Sequence, residues 1–254
     1  MKFDLAEESI FFELRNWETS QVDRPILFLH SALSTHKEFN KLSSFYQNRK
    51  QILLDFPSQG QSDTIHKNLT STILAENVRS LLEHLNIYSV DIIGYSLGGY
   101  VALELSRIAP SMVHSIVSHA MKFYWTDGAI SESLVQLDIQ KLKARSQRGF
   151  EILSEMHSTN GLEMAIDTMR SVIQHFEEEQ LREADILKIL SPLLLSVGDR
   201  DELVSLQEIT KLYQSQASKK TFLAIHPNSP HSISKLDIGS FTFAVRRFWN
   251  LYWE

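Results

Sequence analysis

A serine set between glycines, at the junction of a strand and a helix, constrains this chain more than any other feature. Val90-Asp91-Ile92-Ile93 is a short, mostly apolar run that reads as a buried strand. Leu97, Val101, Leu105 and Ile108 then recur at helical spacing until Pro110 stops them. Gly94-x-Ser96-x-Gly98 lies between the two. On so sharp a turn the serine is held in a strained conformation with its Oγ pushed outward, and the glycines let the strand and helix backbones approach. The helix that starts there aims backbone N–H groups and its positive dipole end at negative charge developing beside Ser96. Such a turn is suited to holding a nucleophile.

The surrounding chain supplies the sheet this turn needs. Residues 25–29, 51–55, 113–118, 192–197 and 221–225 read as buried strands, and 10–17 as an opening strand in a hairpin. Helices alternate with them: a weakly marked one over 36–46, one capped by Thr70 or Ser71, and one over 205–216. A closing helix carries Phe241, Phe243, Phe248, Trp249 and Tyr252, a stripe expected to pack in the core. This alternation predicts an α/β fold with a mostly parallel central β-sheet flanked by helices. At 254 residues the chain is long enough for one large domain or a domain with an insertion.

The rhythm breaks after about Lys122. From Phe123 to Asp185 only helical periodicities occur, and twelve Asp or Glu stand against six Lys or Arg, a local excess of six that equals the net charge of the whole chain. The expected organisation is a core in two parts, residues 1–121 and 186–254, with 122–185 as an inserted α-helical cap. Glu177-Glu178-Glu179 reads as a solvated helix face.

Composition excludes several functions. A net charge of −6 argues against nucleic-acid binding, which needs basic side chains to neutralise phosphates. The absence of cysteine removes disulfides, thiol nucleophiles and thiolate metal sites, and the ten histidines form no His-Glu-x-x-His motif, so no metal or cofactor is expected. No apolar run reaches membrane-spanning length and the N-terminus lacks a signal-peptide pattern, which makes a cytoplasmic location and a small-molecule substrate the expectation. Oligomeric state leaves no mark in the sequence.

In an open parallel sheet, ligands bind beyond the carboxyl ends of the strands. The residues leaving those ends are His30 to Leu33, Asp55, Ser96, His119, Asp199 or Asp201, and His226 or His231. A serine, an acid and a histidine in that order are what acyl transfer requires: a nucleophile, a base, and a carboxylate that orients the base.

Taken together these segments resemble the α/β-hydrolase fold superfamily along nearly the full chain. His30-Ser31-Ala32 stands where the family has its His-Gly-x oxyanion loop. Asp55-Phe56-Pro57-Ser58-Gln59-Gly60-Gln61-Ser62 resembles its Asp-x-Pro-Gly-x-Gly-x-Ser segment, and Gly94-Tyr95-Ser96-Leu97-Gly98-Gly99 its nucleophile elbow. Gly198-Asp199-Arg200-Asp201 matches Gly-x-x-Asp, and His231 falls at the late histidine. The resemblance implies Ser96 as nucleophile, Asp201 as orienting acid, His231 as base, and the N–H groups of Ala32 and Leu97 as oxyanion donors. Asp201 is preferred to Asp199 as the last residue of Gly-x-x-Asp; His231 is preferred to His226, which abuts the strand and suits the loop itself. Three residues depart from the pattern: Ser31 and Ser58 replace glycines, and Pro230 precedes His231 where glycine is common.

Around this centre, His30, Leu33, Tyr95, His119, Phe123 and Trp125 are candidates for the pocket. His30 reads first as a hydrogen-bonding residue under the oxyanion loop. Phe123-Tyr124-Trp125 reads equally as an aromatic wall or as the anchor of the insertion. The expected function is a serine hydrolase of small carboxylic esters acting through an acyl-enzyme. The alternatives are a carbon–carbon bond hydrolase of the same fold and a ligand-binding receptor or scaffold with weak catalysis.

Overall fold

Strands that are apolar on both faces can only be buried between two layers, and that is how this chain folds. The computed structural model describes residues 1–5, 8–64, 68–216 and 220–251. Its strands are β1 (Lys2–Asp4), β2 (Glu8–Arg15), β3 (Val22–Leu29), β4 (Arg49–Leu54), β5 (Asp63–Thr64), β6 (Val90–Tyr95), β7 (Val113–His119), β8 (Leu193–Gly198) and β9 (Thr221–His226). They lie in the order β1-β2-β4-β3-β6-β7-β8-β9, with β5 paired to β2. The pairs from β4 through β3, β6, β7 and β8 to β9 are parallel, while β2 meets β1, β4 and β5 antiparallel. This is the mostly parallel α/β architecture expected from the alternation.

Neighbouring side chains of each strand enter different cores. Leu27, Leu29, Ile52 and Leu54 join one cluster with the helices α2 (Ser71–His84) and α3 (Leu97–Ile108). Ile26, Phe28, Leu53 and Ile93 join a second with α10 (Ile238–Asn250). Each fully buried side chain of this size contributes about 1.5–3 kcal/mol, enough to set the register. In α10, Phe241, Phe248 and Trp249 are buried as expected, whereas Phe243 is 69% exposed. Tyr252 lies outside the described residues.

Two local departures have local causes. Residues 36–46 form no single helix but a 3₁₀ turn (His36–Phe39), a short α1 (Asn40–Ser43) and a second 3₁₀ turn (Ser44–Tyr46). The Ser43 and Ser44 hydroxyls bond back three residues, to the carbonyls of Asn40 and Lys41, at 3.2 and 2.8 Å. Such bonds favour tight turns over a continuous α-helix. Strand β3 starts earlier than expected, and its pairing with β4 shifts register between Val22 and Ile26, around Pro25, which has no N–H to give.

Between β7 and β8 the chain runs through helices α4 (Asp127–Gln136), α5 (Ile139–Arg145), α6 (Gln147–Met156), α7 (Leu162–Glu179) and α8 (Glu183–Ile186). Helix α9 (Leu206–Ser215), capped by the Ser205 hydroxyl, joins β8 to β9. Among the described residues no helix is long and apolar enough to cross a membrane.

Candidate active site

Strand β6 ends at Tyr95 and α3 begins at Leu97, so Ser96 makes the whole turn, with φ 51° and ψ −115°. A non-glycine residue there is strained by about 1–2 kcal/mol, and the turn persists because its surroundings hold it. The Ser96 N–H donates to the His119 carbonyl at 2.8 Å, and its own carbonyl accepts from Gly99 at 3.0 Å. Glycine is required on both sides. A Cβ on Gly98 would lie 1.9 Å from the Leu29 carbonyl oxygen, and one on Gly94 would lie 2.4 Å from the Gly98 oxygen. Ser96 itself is partly exposed.

The acid and the histidine come from the loops after β8 and β9. The Asp201 side chain is enclosed; its Oδ1 accepts the N–H groups of Leu203 and Val204 at 2.9 and 2.8 Å. His231 Nδ1 lies 3.0 Å from Oδ1 and 2.9 Å from Oδ2. A carboxylate can only accept, so Nδ1 carries the proton and Nε2 is left as the basic nitrogen. The backbone of His231 is held as well: its N–H donates to Glu202 Oε2 at 3.0 Å and its carbonyl accepts the Tyr95 hydroxyl. That N–H keeps the Glu202 carboxyl below its usual range. Pro230 fixes the backbone between His231 and Ser229, whose N–H donates to Asp199 Oδ1 at 3.3 Å. Asp199 thus ties the loop.

Ser96, Leu97, Ala32 and His231 all line one cavity of about 180 Å³. Its walls are apolar, with Tyr100 from α3, Leu137 just after α4, and Met169, Val172 and Phe176 from α7. Lys122, Glu132 and Glu202 are the charged residues of the lining. Of the pocket candidates only Trp125 is part of it, stacked on Phe176 at 4.4 Å between ring centroids.

The other candidates lie elsewhere, each for a stated reason. His30 is wholly buried beneath the loop that follows β3: its Nε2 accepts the Phe56 N–H at 2.9 Å and its Nδ1 meets the Ser31 carbonyl at 2.7 Å. Burial brings its pKa down to about 4, so as a neutral imidazole it ties this loop to the one that follows β4. Leu33 takes the loop's positive φ, 51°, and packs on the main core. Tyr95, the last residue of β6, shares the face of Ile93 two residues before it and so packs in the second core, with its ring 5.8 Å from that of His119. Phe123 is buried against Tyr100, and its N–H donates to Glu208 Oε1 at 2.7 Å. The aromatic triplet is therefore divided: Phe123 and Tyr124 anchor the chain and Trp125 forms wall.

His119 is buried on the same side as Tyr95, and its Nδ1 meets Ser196 Oγ at 3.0 Å. His226 Nε2 meets the same hydroxyl at 2.8 Å. This second serine–histidine contact is enclosed, with all three residues at most 2% exposed, and none of them lines the cavity. His226 thus serves strand β8 rather than its own loop.

Two groups of functional residues escaped the sequence reading. The wall from α7 had a signal, the helical spacing of Ile166, Met169, Ile173 and Phe176. Glu38 had none: its carboxylate accepts from both the N–H and the hydroxyl of Ser31. Ser58 adopts φ 65° where the family pattern has glycine, and its hydroxyl bonds to Thr168 on α7.

Comparison with known proteins agrees with this architecture. A family model described as alpha/beta hydrolase fold matches residues 24–150, half of the chain. The acetoin cleaving system's dihydrolipoyllysine-residue acetyltransferase component from Pseudomonas putida is 24% identical over 209 residues, covering 76% of this chain. The chain spans half or less of the curated relatives it matches, 50% of that one. Among solved structures, MGS-M2, an alpha/beta hydrolase enzyme from a Medee basin deep-sea metagenome library, superposes with a TM-score of 0.81 at 21% identity, covering 98% of this chain and 97% of that one. A thermophilic esterase from Thermogutta terrifontis gives 0.77 at 14%, covering 98% of each.

Proposed function

The chain belongs to the alpha/beta hydrolase fold family, and from that premise we propose that it is a hydrolase that cleaves small carboxylic esters through an acyl-enzyme on Ser96. The Ser96 Oγ attacks the ester carbonyl while His231 Nε2 takes its proton. The N–H groups of Leu97 and Ala32 hold the resulting oxyanion. His231 then returns the proton to the departing alcohol. Water, activated by the same nitrogen, releases the acid in a second round. Asp201 keeps the imidazole in the required tautomer and balances its positive charge.

One observation carries this reading. The His231 imidazole is held by Asp201 at 2.9 Å in the same cavity that Ser96 lines, with its other nitrogen free of that bond. The cavity supports the substrate class too. An apolar hollow of about 150 Å³ holds a benzene ring. At about 180 Å³ this one suits an apolar substituent of roughly six carbons. Residues 122–185 act in this proposal as a cap, since α4 and α7 supply its walls.

The test is a series of p-nitrophenyl esters of increasing acyl length, run on the wild type and on Ser96→Ala. Turnover should be best for short and medium acyl groups. Ser96→Ala should retain only a residual acceleration over water on the order of 10³. An organophosphonate should label Ser96 in the wild type. Equal activity in Ser96→Ala ends the proposal.

A further inference from the structure

Ser31 stands where the α/β-hydrolase pattern has glycine, yet the loop it belongs to has to present the Ala32 N–H to an oxyanion. The structure resolves this without a strained residue 31, because the positive φ falls on Leu33 instead. The peptide unit that carries the Ala32 N–H is the same one that carries the Ser31 carbonyl, and in a trans peptide the two point in opposite directions. Anchoring the carbonyl therefore aims the N–H. His30 Nδ1 meets that carbonyl at 2.7 Å.

The residue that carries this carbonyl, Ser31, needs its own anchor. Glu38 Oε2 accepts the Ser31 N–H at 2.9 Å, and Oε1 accepts the Ser31 hydroxyl at 2.8 Å. The turn that bears Glu38 (His36–Phe39) is itself fixed to the end of β4. The backbone N–H and Nδ1 of His36 lie 2.6 and 2.7 Å from Asp55 Oδ1, with both residues almost wholly buried. Asp55 thus fixes the turn at His36, and the same turn presents Glu38 to Ser31. Glu38 does not line the cavity, so it touches no substrate.

We propose that Glu38 is a positioning residue for the oxyanion loop, and that its two-oxygen hold on Ser31 does the work that a glycine loop does elsewhere in the family. The proposal rests on Ser96 being the nucleophile. Glu38 acts only when negative charge develops on the substrate oxygen, so its removal lowers kcat and leaves KM nearly unchanged. Loss of one oxyanion donor lowers kcat by about 10²–10³. Misaiming a donor that is still present should lower it by about 10- to 100-fold.

The experiment compares Glu38→Ala, Glu38→Gln, Ser31→Ala and the Ser31→Ala/Glu38→Ala pair on p-nitrophenyl butyrate, with thermal melts of each. Glu38→Gln keeps one acceptor and the side-chain volume, so it stays informative if Glu38→Ala folds poorly, and it should fall between wild type and Glu38→Ala. The two changes should be less than additive, since both release the same grip. A trifluoromethyl ketone, whose adduct on Ser96 places an oxyanion in the hole, should lose affinity by the same factor as kcat. The matching alcohol, which forms no adduct, should bind as before. A folded Glu38→Gln or Glu38→Ala with unchanged kcat and ketone affinity overturns the proposal, as does equal loss of ketone and alcohol affinity. Failure of the nucleophile itself would show separately, as retained turnover in Ser96→Ala.

Discussion

The Tyr95 hydroxyl donates to the backbone carbonyl of His231, and the two rings lie 5.4 Å apart between centroids. The residue before the proposed nucleophile thus holds the backbone of the proposed base, although 136 positions separate them in the chain. Tyr95 packs in the second core and does not line the cavity, so it holds His231 without entering the pocket.

Tyr95→Phe keeps the ring and deletes the bond. A carbonyl left without a buried partner costs about 1–3 kcal/mol. The thermal midpoint should drop by roughly 2–4 °C for each kcal/mol in a chain of this size. Looser placement of the imidazole should lower kcat by about 5- to 10-fold, equivalent to roughly 1 kcal/mol in the barrier. Steady-state kinetics and a melt on the same preparation check both, and a fully active, fully stable Tyr95→Phe would show that Asp201 positions His231 unaided.

Stability should depend on pH through buried neutral histidines. Burial lowers His30 to about 4 and His119 to about 3 from an ordinary 6.5, and lowers His157 and His226 as well. Below pH 6.5 the unfolded chain takes up protons on these rings that the folded chain refuses. Stability is therefore complete above pH 6.5 and falls as the pH drops toward 4, by up to about 1.4 kcal/mol per pH unit for each such ring. His157 adds a specific loss, because its Nδ1 accepts the Gly60 N–H at 3.0 Å and cannot do so once protonated. Urea unfolding at pH 7.5, 6.0, 5.0 and 4.5 measures the slope; a flat profile would contradict neutral burial.

Charge at the cavity should select among substrates. Glu132 and Glu202 are exposed on its lining, and Lys122, its cationic member, lies 3.5 Å from Glu208 Oε2. A carboxylate-bearing ester should therefore have a kcat/KM several-fold below that of its neutral isostere. The gap should shrink with added salt, which screens exposed charges beyond about 10 Å at 0.1 M, and shrink again in Glu132→Lys. The same comparison bears on carbon–carbon bond hydrolysis, whose vinylogous diketone substrates carry or develop anionic charge. Faster turnover of such a diketone than of any neutral ester would favour that chemistry over the one proposed.

Local pattern carried a great deal of this protein. Alternation of apolar runs with helical periodicities determined the α/β sheet, because strands buried on both faces and helices buried on one leave different spacings in any sequence. The glycines around Ser96 marked the turn, because no other residue fits between Leu29 and α3. Which loops leave the strand ends narrowed the acid to Asp199 or Asp201 and the histidine to His226 or His231, and the family resemblance chose Asp201 and His231 among them.

What only the tertiary structure decided is where side chains face across the chain. Tyr95 and His119, expected in the pocket, point to the opposite core because their positions on β6 and β7 send them there. The walls come from α4 and α7, whose packing over the strand ends depends on contacts far apart in sequence. Glu38 reads as an ordinary surface acid until the fold turns it back onto Ser31, seven residues earlier. Periodicity records which residues are buried; the partner each of them meets is set by chain geometry that spacing alone does not encode.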